Sequence, residues 1–140
     1  MTAELTGPAV TTVEIATEAD LIRVRQALRA ACERAGLGLV DSTKLITAGS
    51  ELTRNILTYA TRSRGLLTVE QVHAQGRSGV RASFADSGPG IPDVAAALTD
   101  GFSTGGSMGL GLPGSRRLVD ELEIDTSPAG TTVTVVKWGR

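Results

Sequence analysis

Two pairs of strand-like runs, each pair joined by a short turn, place the strongest limit on the fold. The first pair is residues 66–74 and 79–86, joined through QGRSG, and the second is residues 122–127 and 131–138, joined through SPAG. Runs rich in β-branched residues that are broken only by glycine, proline and small polar residues are typical of hairpins. The sequence therefore predicts two hairpins, whose apolar face needs a second layer to cover it.

Helical periodicity supplies that second layer. The run VTTVEIA at residues 10–16 predicts a first strand, after which Thr17 is expected to cap a helix that ends at Gly36. Further helices are predicted over residues 42–59 and 113–122, the last one starting at a proline. The apolar face of the second helix is formed by Leu45, Ala48, Leu52 and Ile56. The pattern predicts an α+β, two-layer fold in which helices cover one face of a mixed, mainly antiparallel sheet.

Composition limits the class of protein. A chain of 140 residues with 41% hydrophobic residues is expected to form a single domain, residues 1–140, in which residues 1–9 are flexible. The net charge of −1 argues against a general nucleic-acid surface, and the apolar runs are too short for a membrane helix. The one cysteine, Cys32, is expected in the core, and its isolation suits a reducing cytoplasm.

A glycine-rich segment, GFSTGGSMGLGLPG at residues 101–114, contains a literal G-x-G-x-x-G at Gly109, Gly111 and Gly114. A dinucleotide fingerprint requires a buried strand directly before its first glycine, and the residues before Gly109 cannot form one. A Walker A loop is excluded because the chain has no Gly-Lys-Ser/Thr. Two interpretations remain: a flexible loop, or a phosphate cradle made of backbone amides at the start of a helix.

Two other groups of residues bear on that choice. Glu51 and Asn55 are four residues apart in the second predicted helix and therefore share a face. They fit a base and a magnesium ligand, although a solvated helix surface is the better explanation of such a pair in isolation. Asp86 ends a predicted strand and is followed by Gly88 and Gly90, which suit either a tight turn or a close approach to a ligand.

In combination, the E-x-x-x-N helix, the strand-terminal D-x-G-x-G and the glycine-rich segment resemble the Bergerat or GHKL nucleotide-binding fold. The resemblance extends from Val10 to Trp138. The only histidine, His73, falls in a predicted strand, and no transducer domain is expected, which sets aside histidine kinases and gyrase-like ATPases. The sequence is similar to the anti-sigma-factor serine/threonine kinases of this superfamily, and most similar to the stressosome switch-kinase branch.

The resemblance implies ATP and Mg²⁺ as cofactors and assigns roles to individual residues. Asp86 would accept a hydrogen bond from the adenine amino group, with Thr131 supporting both. Asn55 would hold Mg²⁺ on the phosphates, and Glu51 would be the catalytic base for the incoming hydroxyl. Residues 93–108 would be the ATP lid, with hinges at Gly101, Gly105 and Gly106. The other nucleotide contacts would be Gly88, Gly90, Gly106, Gly109, Leu110, Gly111 and Leu112.

One departure concerns charge. The lid from Asp93 to Met108 contains no lysine or arginine, whereas some relatives place a cation there. Mg²⁺, backbone amides, Arg62 or an arginine of the partner would then neutralise the terminal phosphate.

The implied partners are STAS-domain antagonist proteins of a stressosome, a downstream phosphatase or another regulator, and a sigma factor as a further candidate. No nucleic acid or membrane contact is expected, and the expected localisation is cytoplasmic. Two alternatives stay open. The first is a nucleotide-gated anti-sigma factor or binding module that acts mainly by sequestration. The second is a fold whose glycines have no nucleotide role.

Overall fold

The computed structural model describes residues 10–59, 64–87 and 112–139, and the fold below refers to them. They form five strands and three helices. In chain order these are β1 (Val10–Ile15), α1 (Asp20–Ala35), α2 (Leu39–Tyr59), β2 (Gly65–Ala74), β3 (Arg77–Asp86), α3 (Leu112–Leu118), β4 (Glu121–Ser127) and β5 (Gly130–Trp138).

The strands form one sheet in the order β1-β2-β3-β5-β4, and every described pair is antiparallel. The second hairpin joins the first through β5, which pairs with β3. Strand β4 is therefore an edge strand of the sheet. Helix α1 lies against β1, β2 and β3, while α2 lies against β3 and β5 and also contacts α3. The predicted α+β architecture is confirmed, with a sheet that is antiparallel throughout its described part.

The core lies between the helices and one face of the sheet. Side chains alternate along each strand, so one set points into the core and the other points away from the helices. The inward set includes Leu67, Phe84, Val133 and Val135, all of them buried. The predicted apolar face of α2, Leu45, Ala48, Leu52 and Ile56, is buried against this set, as expected.

The start of α1 differs from the prediction. Thr17 is not the cap, because the helix begins at Asp20 and its N-cap residue, Ala19, makes no side-chain cap bond. The Asp20 carboxylate instead accepts the amides of Ala16 and Thr17, at 2.8 and 2.9 Å, and pairs with Arg23. These bonds, led by those from the two amides, lower the pKa of Asp20 to about 2. The acidic side chain therefore organises the turn that the threonine was expected to cap.

The end of α1 agrees with the prediction. Gly36 adopts a left-handed conformation, with φ at 77°, and its amide donates to the carbonyls of the last helical turn. Such a conformation strongly favours glycine. Cys32 is buried in the core, and that burial raises the pKa of its thiol, which confirms a packing role rather than a nucleophilic one. His73 lies on β2 and is exposed.

Three other boundaries moved. Helix α2 begins at Leu39 rather than residue 42, because the Ser42 amide already donates to the Gly38 carbonyl at 2.9 Å. Helix α3 ends at Leu118 rather than residue 122, because the chain then enters β4 and pairs with β5. The first hairpin turn is only Gln75–Gly76, and both residues have positive φ, as in a type I′ turn.

Within the described residues, no helix combines the length and the apolar character needed to cross a membrane.

Candidate functional site

A row of residues at one end of the sheet forms the base of the candidate site. The register aligns Gly65 of β2 with Asp86 of β3, Asp86 with Thr131 of β5, and Thr131 with Thr126 of β4. The resemblance implied that Thr131 supports Asp86, and the sheet makes the two residues directly opposed neighbours. Opposed residues have Cβ atoms about 5 Å apart, close enough for their side chains to act on one ligand group.

These side chains face the helical layer. Asp86 lies two residues after Phe84, and Thr131 lies two residues before Val133, so strand alternation directs them to the core face. Thr131 is only 7% exposed, and its Oγ1 lies 2.8 Å from Oγ1 of Thr126. The row therefore offers a carboxylate and two linked hydroxyls at the point where the core ends.

Close backbone approach holds the row together. A Cβ atom at Gly130 would collide with the Asp86 carbonyl oxygen and lie 3.2 Å from Cα of Ser87. Backbone atoms form both of these contacts, so no flexible side chain can move aside. The start of β5 and the end of β3 thus lie closer together than any residue with a side chain permits.

Helix α2 carries the other predicted residues to the same end. A Cβ atom at Gly65 would lie 2.7 Å from Cγ2 of Ile56, so this part of α2 packs directly on the row. Asn55 precedes Ile56, and Glu51 is one turn earlier on the same face. Asp41, in the first turn of the helix, has its carboxylate 3.6 Å from Lys137 Nζ at the opposite end of β5. Because the Ile56 end lies over the row, Glu51, Asn55 and Asp86 belong to one end of the fold.

The surroundings of Glu51 differ from those of Thr131. The Glu51 side chain is 47% exposed, and Oε1 lies 3.8 Å from Nη1 of Arg54, a longer distance than a hydrogen bond. An exposed ion pair of this kind contributes little to stability. The carboxylate is therefore available to a group that approaches from solvent.

Helix α3 carries one further predicted residue. Leu112, predicted as a nucleotide contact, is its first residue and is 1% exposed. Helix α3 contacts α2, which places this helix start beside the helix that carries Asn55. The predicted contacts Gly88, Gly90, Gly106, Gly109, Leu110 and Gly111, the lid at residues 93–108 with Gly101 and Gly105, the flexible residues 1–9 and Arg62 lie outside the described residues.

The comparison with protein families decides the class of the molecule. The family described as "Histidine kinase-like ATPase domain" matches residues 15–137. The chain belongs to this family. Serine/threonine-protein kinase RsbT of Bacillus subtilis (strain 168) is 43% identical over 129 residues, which are 91% of this chain and 96% of that protein. The predicted kinase family and enzyme class, protein serine/threonine kinase, are confirmed by these two comparisons.

Solved structures agree on the fold of this histidine kinase-like ATPase domain. The crystal structure of the RsbU and RsbW domains of a Mycobacterium tuberculosis protein matches with a TM-score of 0.64 and 23% identity. That match covers 96% of this chain and 33% of the other. A histidine kinase domain from the Erythrobacter litoralis blue-light activated histidine kinase gives 0.50 and 22%, covering 85% and 59%. The chain spans a third of the first structure and under two thirds of the second.

The residues present fit the nucleotide that the family implies. An adenine amino group is a donor, and the row supplies the acceptor carboxylate of Asp86 beside the hydroxyl of Thr131. Mg²⁺ prefers oxygen ligands and retains waters and substrate phosphates, so the single amide oxygen of Asn55 is a suitable protein ligand. Membership of the ATPase family supports ATP use.

Two residues of the row, Gly65 and Thr126, and the adjacent Gly130 were missed by sequence reasoning. Gly65 and Gly130 each open a strand at the site, and only the three-dimensional contacts reveal that neither tolerates a Cβ atom. Thr126 gave no signal of its own, because a threonine in a strand is ordinary. A glycine directly before Thr131 was the one local hint of close approach.

Proposed function

We propose that this protein is an Mg²⁺- and ATP-dependent protein serine/threonine kinase that phosphorylates a STAS-domain antagonist protein of a stressosome. The observation that carries the proposal is the meeting of Asp86 and Thr131 across two strands beneath the end of α2. The 43% identity to a serine/threonine-protein kinase supports the same activity.

The sheet end would select the nucleotide. Asp86 would accept a hydrogen bond from the adenine amino group, and Thr131 would support that contact from the opposing strand. Guanine would bring a carbonyl oxygen to the same carboxylate, and two acceptors facing each other would leave both unsatisfied. The pair therefore supports preference for ATP over GTP.

Helix α2 would carry the chemistry. Glu51 would orient the substrate hydroxyl and accept its proton as the oxygen attacks the γ-phosphorus and the bond to the β–γ bridging oxygen breaks. The half-exposed carboxylate supports this role, because a protein substrate must reach it from solvent. Its long contact with Arg54 leaves it free to rotate toward that substrate.

Asn55 would hold Mg²⁺ one helical turn from Glu51. When bound, the metal ion would neutralise charge on the phosphates. The amides at residues 109–112, where α3 begins at Leu112, would contact the phosphates, and residues 93–108 would cover the nucleotide. Residues 93–108 contain no lysine or arginine, which supports neutralisation of the terminal phosphate by Arg62 or by an arginine of the docked partner.

The proposed partner class rests on the family resemblance rather than on the geometry of the site. A STAS-domain antagonist would be the phosphoacceptor, and phosphorylation would release the kinase to activate a downstream phosphatase or another regulator. A sigma factor is a further candidate partner, and the cytoplasm is the proposed location. The single buried cysteine is consistent with a reducing compartment.

Transfer of labelled phosphate tests the activity directly. The full chain is incubated with Mg²⁺, γ-labelled ATP and the cognate STAS protein, and label on that protein is measured by autoradiography and mass spectrometry. Glu51→Ala is expected to lower the rate roughly 100- to 10,000-fold, the usual contribution of a positioned general base. Thr47→Ala, an exposed residue one turn earlier on α2, is the matched control and should transfer normally.

The same variants separate the kinase from a nucleotide-gated binding module. If the STAS protein acquires no label, and ATP changes its affinity equally for wild type and Glu51→Ala, then sequestration is the function. If neither ATP binding nor partner binding is detected for wild type, the nucleotide role of this end of the fold is wrong.

A further inference from the structure

Thr126 is the last residue of the row. It lies one strand beyond Asp86 and Thr131, the two residues of the proposed adenine contact. It lies on edge strand β4 directly opposite Thr131, which is in turn directly opposite Asp86. The three side chains lie on the same face, because Thr126 follows Ile124 by two residues just as Asp86 follows Phe84. A continuous line of polar groups thus crosses β3, β5 and β4 at the edge of the core.

The contact between the two threonines is a real hydrogen bond. Their Oγ1 atoms are 2.8 Å apart, the usual separation for an O–H···O bond. Thr131 is 7% exposed, so water competes little for its hydroxyl. A hydroxyl has one donor proton and two acceptor positions, so the proton of only one of the two threonines lies in this contact.

The direction of that hydrogen bond matters for the neighbouring carboxylate. Asp86 in its ionised form is only an acceptor, so it gains from a Thr131 proton that points toward its side of the row. That arrangement requires Thr131 to accept, rather than donate, in its bond with Thr126.

We propose that Thr126 is a positioning residue for nucleotide recognition, donating to Thr131 Oγ1 and so directing the Thr131 proton toward the Asp86 side of the row. The inference rests on the proposed function, since it assigns Thr126 a role through Thr131 and Asp86. Thr126 itself contacts no nucleotide atom in this arrangement. Its hydroxyl acts on ATP affinity and on the preference for ATP over GTP.

Calorimetry on the full chain tests this with Mg²⁺ plus ATP or GTP. Thr126→Val removes the hydroxyl while keeping shape and strand preference, and it is expected to weaken ATP binding roughly fivefold, the effect of one lost neutral hydrogen bond. GTP affinity should change less than twofold, so the ATP/GTP ratio falls. Thr126→Ser retains the donor and should restore both values. Adding Thr131→Val to Thr126→Val should cost less than Thr131→Val costs alone.

The opposite face of the sheet supplies a matched control. Ser83 and Thr134 form the same kind of cross-strand hydroxyl pair, with 3.1 Å between their oxygens, on the face away from the helices. Thr134→Val should therefore leave nucleotide affinity unchanged. Thermal unfolding of each variant shows whether the fold is intact.

Equal ATP affinity in wild type and Thr126→Val would overturn the positioning role while leaving the proposed function in place. An equal loss of affinity in Thr126→Val and Thr126→Ser would also overturn it, because a serine keeps the donor. A wild-type protein that binds no ATP would instead remove the proposed function and this inference with it.

Discussion

The two sides of the candidate site are built in different ways. At the sheet end, Asp86 and Thr131 are set by strand register, and the backbone contact at Gly130 leaves them little freedom. On α2, Glu51 is half exposed and its only close charged neighbour among the described residues is Arg54, at 3.8 Å. Groups fixed by strand register and backbone contact suit recognition of a small ligand, whereas a half-exposed helix side chain suits contact with a second protein. The difference predicts that binding and transfer can be separated by mutation.

The largest expected effect on ATP affinity tests that separation in one binding assay. Asp86→Asn replaces an acceptor-only carboxylate with an amide and should weaken ATP binding about 100-fold, or about 2.7 kcal/mol, as expected for a hydrogen bond to a charged group. Glu51→Gln should bind ATP within about twofold of wild type, because a general base acts on the transfer step. Isothermal calorimetry with Mg²⁺ and ATP measures both.

The two variants can also contradict the comparison. If Glu51→Gln loses as much affinity as Asp86→Asn, the α2 side contributes to binding as strongly as the sheet end. If Asp86→Asn binds normally and fails only in transfer, the assigned roles are reversed.

A smaller effect is expected from Gly130→Ala, which tests the rigidity of the sheet end. The added methyl group would collide with the Asp86 carbonyl and crowd Ser87, and neither backbone can shift alone. Overpacking of this kind costs about 1–3 kcal/mol of unfolding free energy, and the displaced Asp86 should also weaken ATP binding. Denaturant unfolding followed by Trp138 fluorescence, together with calorimetry, measures the two losses.

Gly38→Ala is the control for that experiment. No atom lies within 4 Å of a Cβ at Gly38, so this variant should stay within about 0.5 kcal/mol of wild type. A Gly130→Ala protein of unchanged stability and affinity would show that the sheet end is adjustable, which removes the contrast with α2.

The sequence predicted the elements whose signal is local. The apolar face of α2, the left-handed Gly36 and both hairpins follow from periodicity and turn chemistry, and all are present. The start of α2 was missed because Leu39 and Val40 are 84% and 64% exposed. Exposed apolar residues at a helix start interrupt the amphipathic pattern on which the prediction depends.

The site was predictable in its parts but not in its assembly. The four-residue spacing of Glu51 and Asn55 defines a helix face without tertiary information. The resemblance implied that Thr131 acts with Asp86, but their direct pairing depends on β5 rather than β4 lying next to β3, and nothing in either hairpin specifies that choice. Gly130 and Thr126 acquire their significance only from that pairing, which explains why pattern alone passed over them.

The smallest expected effect concerns the turn before α1, which adjoins the same sheet end because Ile15 pairs with Gly65. The amides of Ala16 and Thr17, and then Arg23, lower the pKa of Asp20 from 3.8 to about 2, so the ionised carboxylate favours the folded state. This contribution is complete above pH 3.8 and is lost as the pH falls toward 2. Asp20→Asn should therefore lower the Tm at pH 5, and the difference from wild type should shrink as the pH is lowered from 4 to 2.

Glu18→Gln, which removes a nearby exposed carboxylate, should leave the Tm at pH 5 unchanged. A constant difference between wild type and Asp20→Asn across that range would mean that the turn is held by its backbone and not by the charge. Unchanged ATP affinity in Asp20→Asn at pH 7 would then limit the rigid part of the site to the row from Gly65 to Thr126.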